Sequence, residues 1–304
     1  TTFSQHLESL LDSGQVLIEQ VDAAVARILR LKFHLGLFDK PYTDPADFSA
    51  KANHQHMQAA RYAAIESCVL LQNNRDLLPL SAQRLGSVAV IGPLADAPGE
   101  QLGTWVFDGE PALSETPLQA LRARLANFCE VHYSKGLEHT RSKDSCGFDQ
   151  ALECARRSDV VIMFVGEDAI LSGEAHCRAN IDLPGRQQAL IEAVSATGKQ
   201  VVLVIMAGRP LVLEPVIDKV DAVLCAWHPG SMAGAAITDL LLGRAVPSGK
   251  LPVTFPRMVG QVPIDYAQKN TGKPASPESW VHIDDIDSGA SQTSFGMSSM
   301  HLDA

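Results

Sequence analysis

Apolar residues recur at helical spacing in the first part of the chain. Residues 18–35 carry apolar side chains, among them Val21, Val25 and Ile28, on one face of a helix. A connector with two prolines follows, and a second helix is expected over about residues 54–66. The pattern therefore predicts two helices that are joined by an extended segment.

Short apolar strands alternate with helical segments along most of the remaining chain. The predicted strands are residues 68–72, 87–91, 130–133, 160–165, 201–206 and 221–227. The predicted helices between and after them are residues 117–125, 148–157, 186–195 and 233–242. Fully apolar strands that alternate with helices indicate a parallel sheet covered on both faces. We therefore expect an α/β fold, with a doubly wound, mostly parallel sheet sandwiched by helices.

The chain length and the shifts in composition predict a large central domain and a linker-like C-terminal segment. The 304 residues are enough for about two domains. The alternation of strands and helices places the doubly wound domain at about residues 68–245. Residues 267–304 are rich in Ser, Asp, Gly and Pro, and they are expected to form a loop or linker.

The composition, the apolar runs and the net charge argue against several classes of function. Hydrophobic residues make up 46% of the chain and charged residues 20%, as in ordinary globular proteins. The longest apolar run is residues 201–207, far short of the roughly 20 residues that span a membrane. The net charge is −10, and no Lys/Arg cluster offers a face to nucleic acid. We therefore expect neither a nucleic-acid partner nor a membrane partner.

The spacing of cysteines, histidines and glycines gives no metal or cofactor motif. None of the six cysteines forms a CxxC pair, although Cys146 and Cys177 lie in loop-like sequence and could pair with each other. His54 and His56 face different ways on the predicted helix, which favours ordinary surface positions. No strand is followed by GxGxxG, so a dinucleotide site has no support. We predict no metal and no cofactor.

Acidic residues gather in the loop that follows the most apolar strand. Ligands of open α/β sheets bind at the carboxyl ends of the strands, and this loop, residues 166–178, holds Glu167, Asp168 and Glu174. Taken from spacing alone, helix capping or pairing with Arg178 is the favoured role for these carboxylates. The functional alternative is a general acid/base at the mouth of a cleft. Spacing does not choose among the three, although Glu167 directly leaves the strand and is expected to be structural.

Several longer segments carry motifs in one fixed order. They are residues 21–42, residues 59–80, SVAVIGPLAD (87–96), SDVVIMFVGE (158–167), LPGRQQALIEAV (183–194), VVLVIMAGRPL (201–211), GRAVPSGKLPVTFPR (243–257) and VGQVPIDYAQKNTGKP (259–274). Together they resemble glycoside hydrolase family 3, the β-glucosidase family, over about residues 20–275. The last segment is especially similar to the bacterial periplasmic branch of that family.

This resemblance implies a retaining exo-acting β-glucosidase whose substrate is a β-glucoside or a β-linked oligosaccharide. In such enzymes an aspartate of a barrel domain is the nucleophile, and the sequence that would match it is absent from this chain. The acid/base is a glutamate in a pattern like E-A-x-x-R. Residues 174–178 match that pattern, so the resemblance assigns the role to Glu174. It assigns residues 1–45 to the end of the barrel domain and its connector, residues 46–258 to the α/β-sandwich domain and residues 259–304 to a linker toward a C-terminal fibronectin-like domain. It further implies the barrel domain of the same protein as partner and a periplasmic or secreted location.

The resemblance also singles out one aromatic residue and one departure. Gly103-Thr104-Trp105 is similar to a G-x-W segment whose ring lines the aglycone subsite, which assigns substrate binding to Trp105. Without the family, Trp105 would more plausibly be a packing residue. The family usually has G-x-E-x-G after the last strand, whereas Met232 stands at the acidic position here.

Other functions stay open at this point. A β-xylosidase or an exo-glucanase would belong to the same family, because the glycone subsite is built mostly by the barrel domain. A non-catalytic doubly wound binding module, in which Glu174 only caps a helix, belongs to a different class. A homodimer is also compatible with the sequence.

Overall fold

The computed structural model describes residues 2–47, 54–265, 267 and 269. These residues fall into two compact units, one within Thr1–Asn53 and the other within His54–Ala304. The first unit holds helices α1 (Thr2–Asp12) and α2 (Ile18–His34). The second of them confirms the helix predicted from apolar spacing, whereas α1 lies outside the sequence prediction. Most of the predicted linker lies outside the described residues.

The second unit is built on a six-stranded sheet. Its strands are β1 (Val69–Asn73), β2 (Ser87–Ile91), β3 (Glu130–Ser134), β4 (Val160–Gly166), β5 (Gln200–Met206) and β6 (Ala222–Cys225). Their order across the sheet is β1-β6-β5-β4-β2-β3. Strand β1 pairs antiparallel with β6, and the other pairs are parallel. The doubly wound, mostly parallel α/β fold is therefore confirmed.

Helices cover both faces of this sheet. They are α3 (His54–Ser67), α4 (Pro117–Leu125), α5 (Phe148–Arg156), α6 (Gln187–Ser195), α7 (Glu214–Ile217) and α8 (Ala233–Leu241). Helices α3, α4 and α8 pack on one face, and α5, α6 and α7 pack on the other. Strand β4 is apolar throughout because both of its faces are buried. Ile162 and Phe164 lie in the core layer that is shared with α3, α4 and α8, and Met163 and Val165 lie in the core layer on the opposite face of the sheet.

The last predicted strand, residues 221–227, is too long. Strand β6 is confined to Ala222–Cys225, and Trp227 has a φ of 55°. A left-handed residue cannot continue an extended strand, so the chain turns away from the sheet at this point. The sequence pattern could not show the turn, because tryptophan is a common strand residue.

The strand order places a crevice at one position along the carboxyl edge. The chain runs from β2 outward to β3 and then returns to β4 on the other side of β2, so the loops that follow β2 and β4 diverge. Both loops begin where only glycine fits. A Cβ on Gly92 would lie 2.1 Å from the carbonyl oxygen of Phe164, and one on Gly166 would lie 1.8 Å from that of Met206. Both loops that flank the crevice thus leave the sheet at points of close backbone packing.

Candidate active site

The two residues that the resemblance singles out lie on the two loops that flank the crevice. Trp105 belongs to the loop after β2, and Glu174 belongs to the loop after β4. A Cβ on Gly173 would lie 2.4 Å from Cγ2 of Thr104, so the backbone of Gly173 is in direct contact with that methyl group. Because Thr104 precedes Trp105 and Gly173 precedes Glu174, this contact places the two predicted residues on adjoining stretches of backbone.

Trp105 presents its indole ring to solvent. The residue is 61% exposed, and its ring centroid lies 6.2 Å from that of Phe107 in an edge-on arrangement. Phe107 is exposed as well. An exposed aromatic pair outside both core layers leaves a flat apolar surface available for stacking on a ligand.

Glu167 is committed to ion pairs in the interior. Its side chain is completely buried, Arg178 Nη1 donates a hydrogen bond to Oε1, and Arg209 Nε donates one to Oε2 at 3.1 Å. A buried carboxylate is tolerated only when its charge is compensated and its lone pairs are bonded. The two guanidinium groups meet both requirements, which favours a structural role for Glu167.

Asp168 is also bound within the protein, whereas Glu174 is not. Arg141 Nε donates a hydrogen bond of 2.6 Å to Asp168 Oδ2, and the aspartate is nearly buried. Glu174 is exposed, and among the described residues it has no hydrogen-bond or ion-pair partner. Of the three carboxyl groups that spacing left open, only that of Glu174 is free to meet a ligand.

The backbone around Glu174 is held in a left-handed turn. Ala175 has a φ of 63° and Gly173 a φ of 109°. A left-handed alanine costs about 1–2 kcal/mol, and such a conformation persists only where surrounding contacts impose it. The His176 amide donates to the carbonyl of Gly173 at 3.2 Å and closes the turn.

His228 joins the loops of the carboxyl edge and was missed by the sequence prediction. A Cβ on Gly103 would lie 3.1 Å from His228 Cβ, and one on Gly208 would lie 3.2 Å from Nε2. The same Nε2 lies 3.3 Å from Ser172 Oγ. Burial lowers the pKa of His228, while the carboxylate of Glu167 and the backbone of Glu100 oppose that shift. The only sequence signal was its position directly after the last predicted strand, residues 221–227.

Met232 occupies the position where the family usually has an acidic residue. It is the residue that precedes helix α8, so a negative side chain there would favour the helix N-terminus. The glycine after it has a separate role. A Cβ on Gly234 would lie 2.4 Å from the carbonyl oxygen of Thr116, so this glycine lets α8 approach the start of α4.

Other chemistry is not assembled in the described part of the chain. No group of three or more His, Cys, Asp or Glu residues there is arranged to hold a metal ion. The cysteines are free thiols, and burial raises the pKa of Cys68 and Cys225 to about 12, which disfavours a thiolate nucleophile. No helix among these residues is both long enough and apolar enough to cross a membrane.

Comparison with known proteins shows what the chain is similar to. A model described as the glycosyl hydrolase family 3 C-terminal domain matches residues 68–290. A periplasmic β-glucosidase of Salmonella typhimurium is 38% identical over 302 residues, which covers 91% of this chain and 39% of that protein. A β-xylosidase of Formosa agariphila is 34% identical over 269 residues and covers 86% of this chain and 37% of its own length.

A solved structure is also similar to this chain. The crystal structure of a β-glucosidase from Listeria innocua in complex with isofagomine superposes with a TM-score of 0.75 at 34% identity. The match covers 90% of this chain and 37% of the Listeria chain. The present chain therefore spans 37–39% of the length of these three proteins.

The buried ring of His228 predicts a pH-dependent stability. In the unfolded chain it takes up a proton near pH 6.5, about its ordinary pKa, but in the folded state its pKa is lower. The contribution of His228 to the free energy of unfolding should therefore be constant above that pH. It should decrease as the pH falls toward the folded-state pKa, because the unfolded state then binds more protons than the folded state. Urea unfolding between about pH 7.5 and 5 measures this slope.

In the His228→Asn variant the side chain at position 228 cannot take up a proton. The free energy of unfolding of this variant should therefore change less steeply with pH. His56 is an exposed histidine on α3, so His56→Asn is the matched control and should behave like the wild type. An unchanged slope in His228→Asn would show that another group controls the acid sensitivity.

Proposed function

Because the chain belongs to glycosyl hydrolase family 3, we propose that it supplies the acid/base carboxyl group of a retaining exo-acting β-glucosidase. Its relatives include a β-glucosidase and a β-xylosidase, so glycoside hydrolysis is their shared chemistry. The nucleophile is proposed to come from a barrel domain of the same protein, outside this chain. No cofactor enters this chemistry, since two carboxyl groups suffice.

One observation carries this proposal. Of the three carboxyl groups in the loop after β4, those of Glu167 and Asp168 are held by arginines in the interior, while that of Glu174 is exposed. An acid/base must reach the glycosidic oxygen of the substrate. Glu174 also lies beside the loop of Trp105, through the contact between Gly173 and Thr104.

The proposed reaction has two steps that use Glu174 in opposite directions. In the first step the nucleophile bonds to the anomeric carbon, while the Glu174 carboxylic acid gives its proton to the departing oxygen. In the second step the Glu174 carboxylate takes a proton from water, whose oxygen replaces the nucleophile at the anomeric carbon. Retaining enzymes place the two carboxyl groups about 5–5.5 Å apart, so Glu174 is proposed to face the nucleophile at that distance.

Trp105 is proposed to bind the leaving-group sugar. The apolar face of a pyranose ring packs well on an exposed indole, and the indole stands on the loop next to Glu174. A residue at this position is expected to contact the leaving-group sugar, which departs in the first step. The glycone would then be bound by the barrel domain.

A β-xylosidase is the second candidate, and the similarity to the Formosa agariphila enzyme favours it. Glucosides and xylosides differ in the glycone, which the barrel domain is proposed to recognise. Relative kcat/KM values on p-nitrophenyl β-glucoside and β-xyloside separate the two candidates. By analogy with the Salmonella relative, we propose a periplasmic or secreted location for the enzyme.

The Glu174→Ala variant of the full-length enzyme should lose activity according to the leaving group. Hydrolysis of cellobiose should fall by about 100-fold or more, because its leaving group needs a proton. The first step with dinitrophenyl β-glucoside should be largely spared, since dinitrophenolate departs unprotonated. The covalent intermediate should then accumulate, and added azide should restore turnover with release of glucosyl azide.

Glu153→Ala is the matched control, because Glu153 is an exposed glutamate on α5, and it should retain activity on both substrates. Azide rescue of Glu167→Ala or Asp168→Ala in place of Glu174→Ala would show that the assignment is wrong. Rescue of none of the three would show that the acid/base lies elsewhere and that the loop is structural.

The Trp105→Ala variant should discriminate between large and small leaving groups. Loss of stacking should reduce kcat/KM for cellobiose by about 3- to 10-fold, with less effect on methyl β-glucoside, whose leaving group is too small to stack. Phe107→Ala removes the neighbouring exposed ring and should have a smaller effect. Equal losses on both substrates in Trp105→Ala would indicate a packing role instead.

A further inference from the structure

Arg209 reaches from the turn after β5 into the loop that carries Glu174. Its Nη2 group donates hydrogen bonds to the carbonyl oxygens of Leu171 and, at 2.9 Å, of His176. These carbonyls lie on either side of Glu174 in the sequence. One guanidinium group therefore ties together the two ends of the short segment whose side chain is proposed to perform the chemistry.

The same arginine is anchored by charge. Its Nε donates to the buried carboxylate of Glu167 at 3.1 Å, and the Arg209 side chain is largely buried. Arg178 contacts the other oxygen of Glu167 and donates to the carbonyl of Asp182 at 3.2 Å. We call Glu167, Arg178 and Arg209 the Glu167 cluster. It fixes the loop at its start, on both sides of Glu174, and at its end.

The left-handed turn between the two carbonyls needs such an external support. Gly173 and Ala175 both have positive φ angles, and an alanine does not hold that conformation without contacts that impose it. The planar guanidinium offers several donors in fixed directions, which a lysine ammonium group cannot reproduce. Arg209 can therefore hold the two carbonyls and the carboxylate at once, and lysine cannot.

We propose that Arg209 is a positioning residue for the acid/base step: it sets the direction of the Glu174 side chain through the loop backbone and does not touch the substrate. This inference rests on the proposed role of Glu174. A misplacement of about 1 Å of a reacting group can reduce a rate about 100-fold. The proton-transfer part of the reaction should therefore depend on Arg209 more than the rest of it does.

The test compares two substrates in the full-length Arg209→Lys variant, which keeps the positive charge next to Glu167. Hydrolysis of cellobiose, which needs a proton on its leaving group, should fall by about tenfold or more. The first step with dinitrophenyl β-glucoside should fall by less than about threefold, because it needs no proton. The ratio of the two effects is independent of the amount of folded enzyme.

Arg141→Lys is the matched control. Arg141 also binds a carboxylate of this loop, through Asp168 at 2.6 Å, but its side chain lies 54% exposed. Its replacement should change both substrates by similar factors. If Arg209→Lys does not accumulate as folded protein, the losses on the two substrates are compared in Arg209→Gln instead. This variant is expected to fold because Arg178 still compensates the charge of Glu167.

Equal losses on both substrates in the Arg209 variants, or no loss on either, would overturn the proposal and leave Arg209 a purely structural residue. A selective loss supports it. Azide rescue of Glu174→Ala tests the proposed function separately: if that rescue fails while the Arg209 variants remain selective, the positioned acid is a different residue of the loop.

Discussion

The fully buried carboxylate of Glu167 is the constraint on which the site depends. Removing a carboxylate from water costs several kcal/mol, which only close opposite charges and good hydrogen bonds offset. Arg178 supplies one partner from within the loop, and Arg209 supplies the other from the turn after β5. The loop after β4 cannot leave this arrangement without exposing the cluster to water or leaving charges unpaired.

This constraint extends to the neighbouring loops of the carboxyl edge. The carboxylate of Glu100, in the loop after β2, accepts a hydrogen bond from the amide of Ala169. Thr104 contacts Gly173, and His228 lies against Gly103 and next to Ser172. The strand order brings the loops after β2 and β4 to one crevice, and these contacts fix the positions of the two loops relative to each other. The proposed acid/base and the proposed stacking residue thus stand on one connected surface.

Hydrophobic patterning predicted the sheet and its helices well, because strands β2, β4, β5 and β6 are buried on both faces and are almost entirely apolar. It failed where a single backbone angle decides the outcome, as at Trp227, which ends β6 early. Helix α7 was also not predicted, since Glu214–Ile217 is too short to show a helical period.

The site was less accessible to sequence reasoning than the fold. Spacing placed three carboxyl groups in one loop and favoured a structural role only for Glu167, and Glu174 was singled out only by a family resemblance. What separates Glu167 from Glu174 is burial next to Arg209, a residue 42 positions away in the sequence. Such a contact depends on the pairing of β4 with β5 and leaves no local pattern.

Backbone amide hydrogen exchange in a Glu167→Gln variant of the full-length protein tests most directly whether the buried carboxylate holds the loop. Glutamine keeps the size of the side chain and removes its charge. The amides of Leu171, Ser172 and His176, which are bonded within the loop, should exchange at least about tenfold faster through local opening. The amides of Val202 and Val204 in β5 should keep their protection. Unchanged exchange in the loop, or an equal increase in the loop and in β5, would contradict the account.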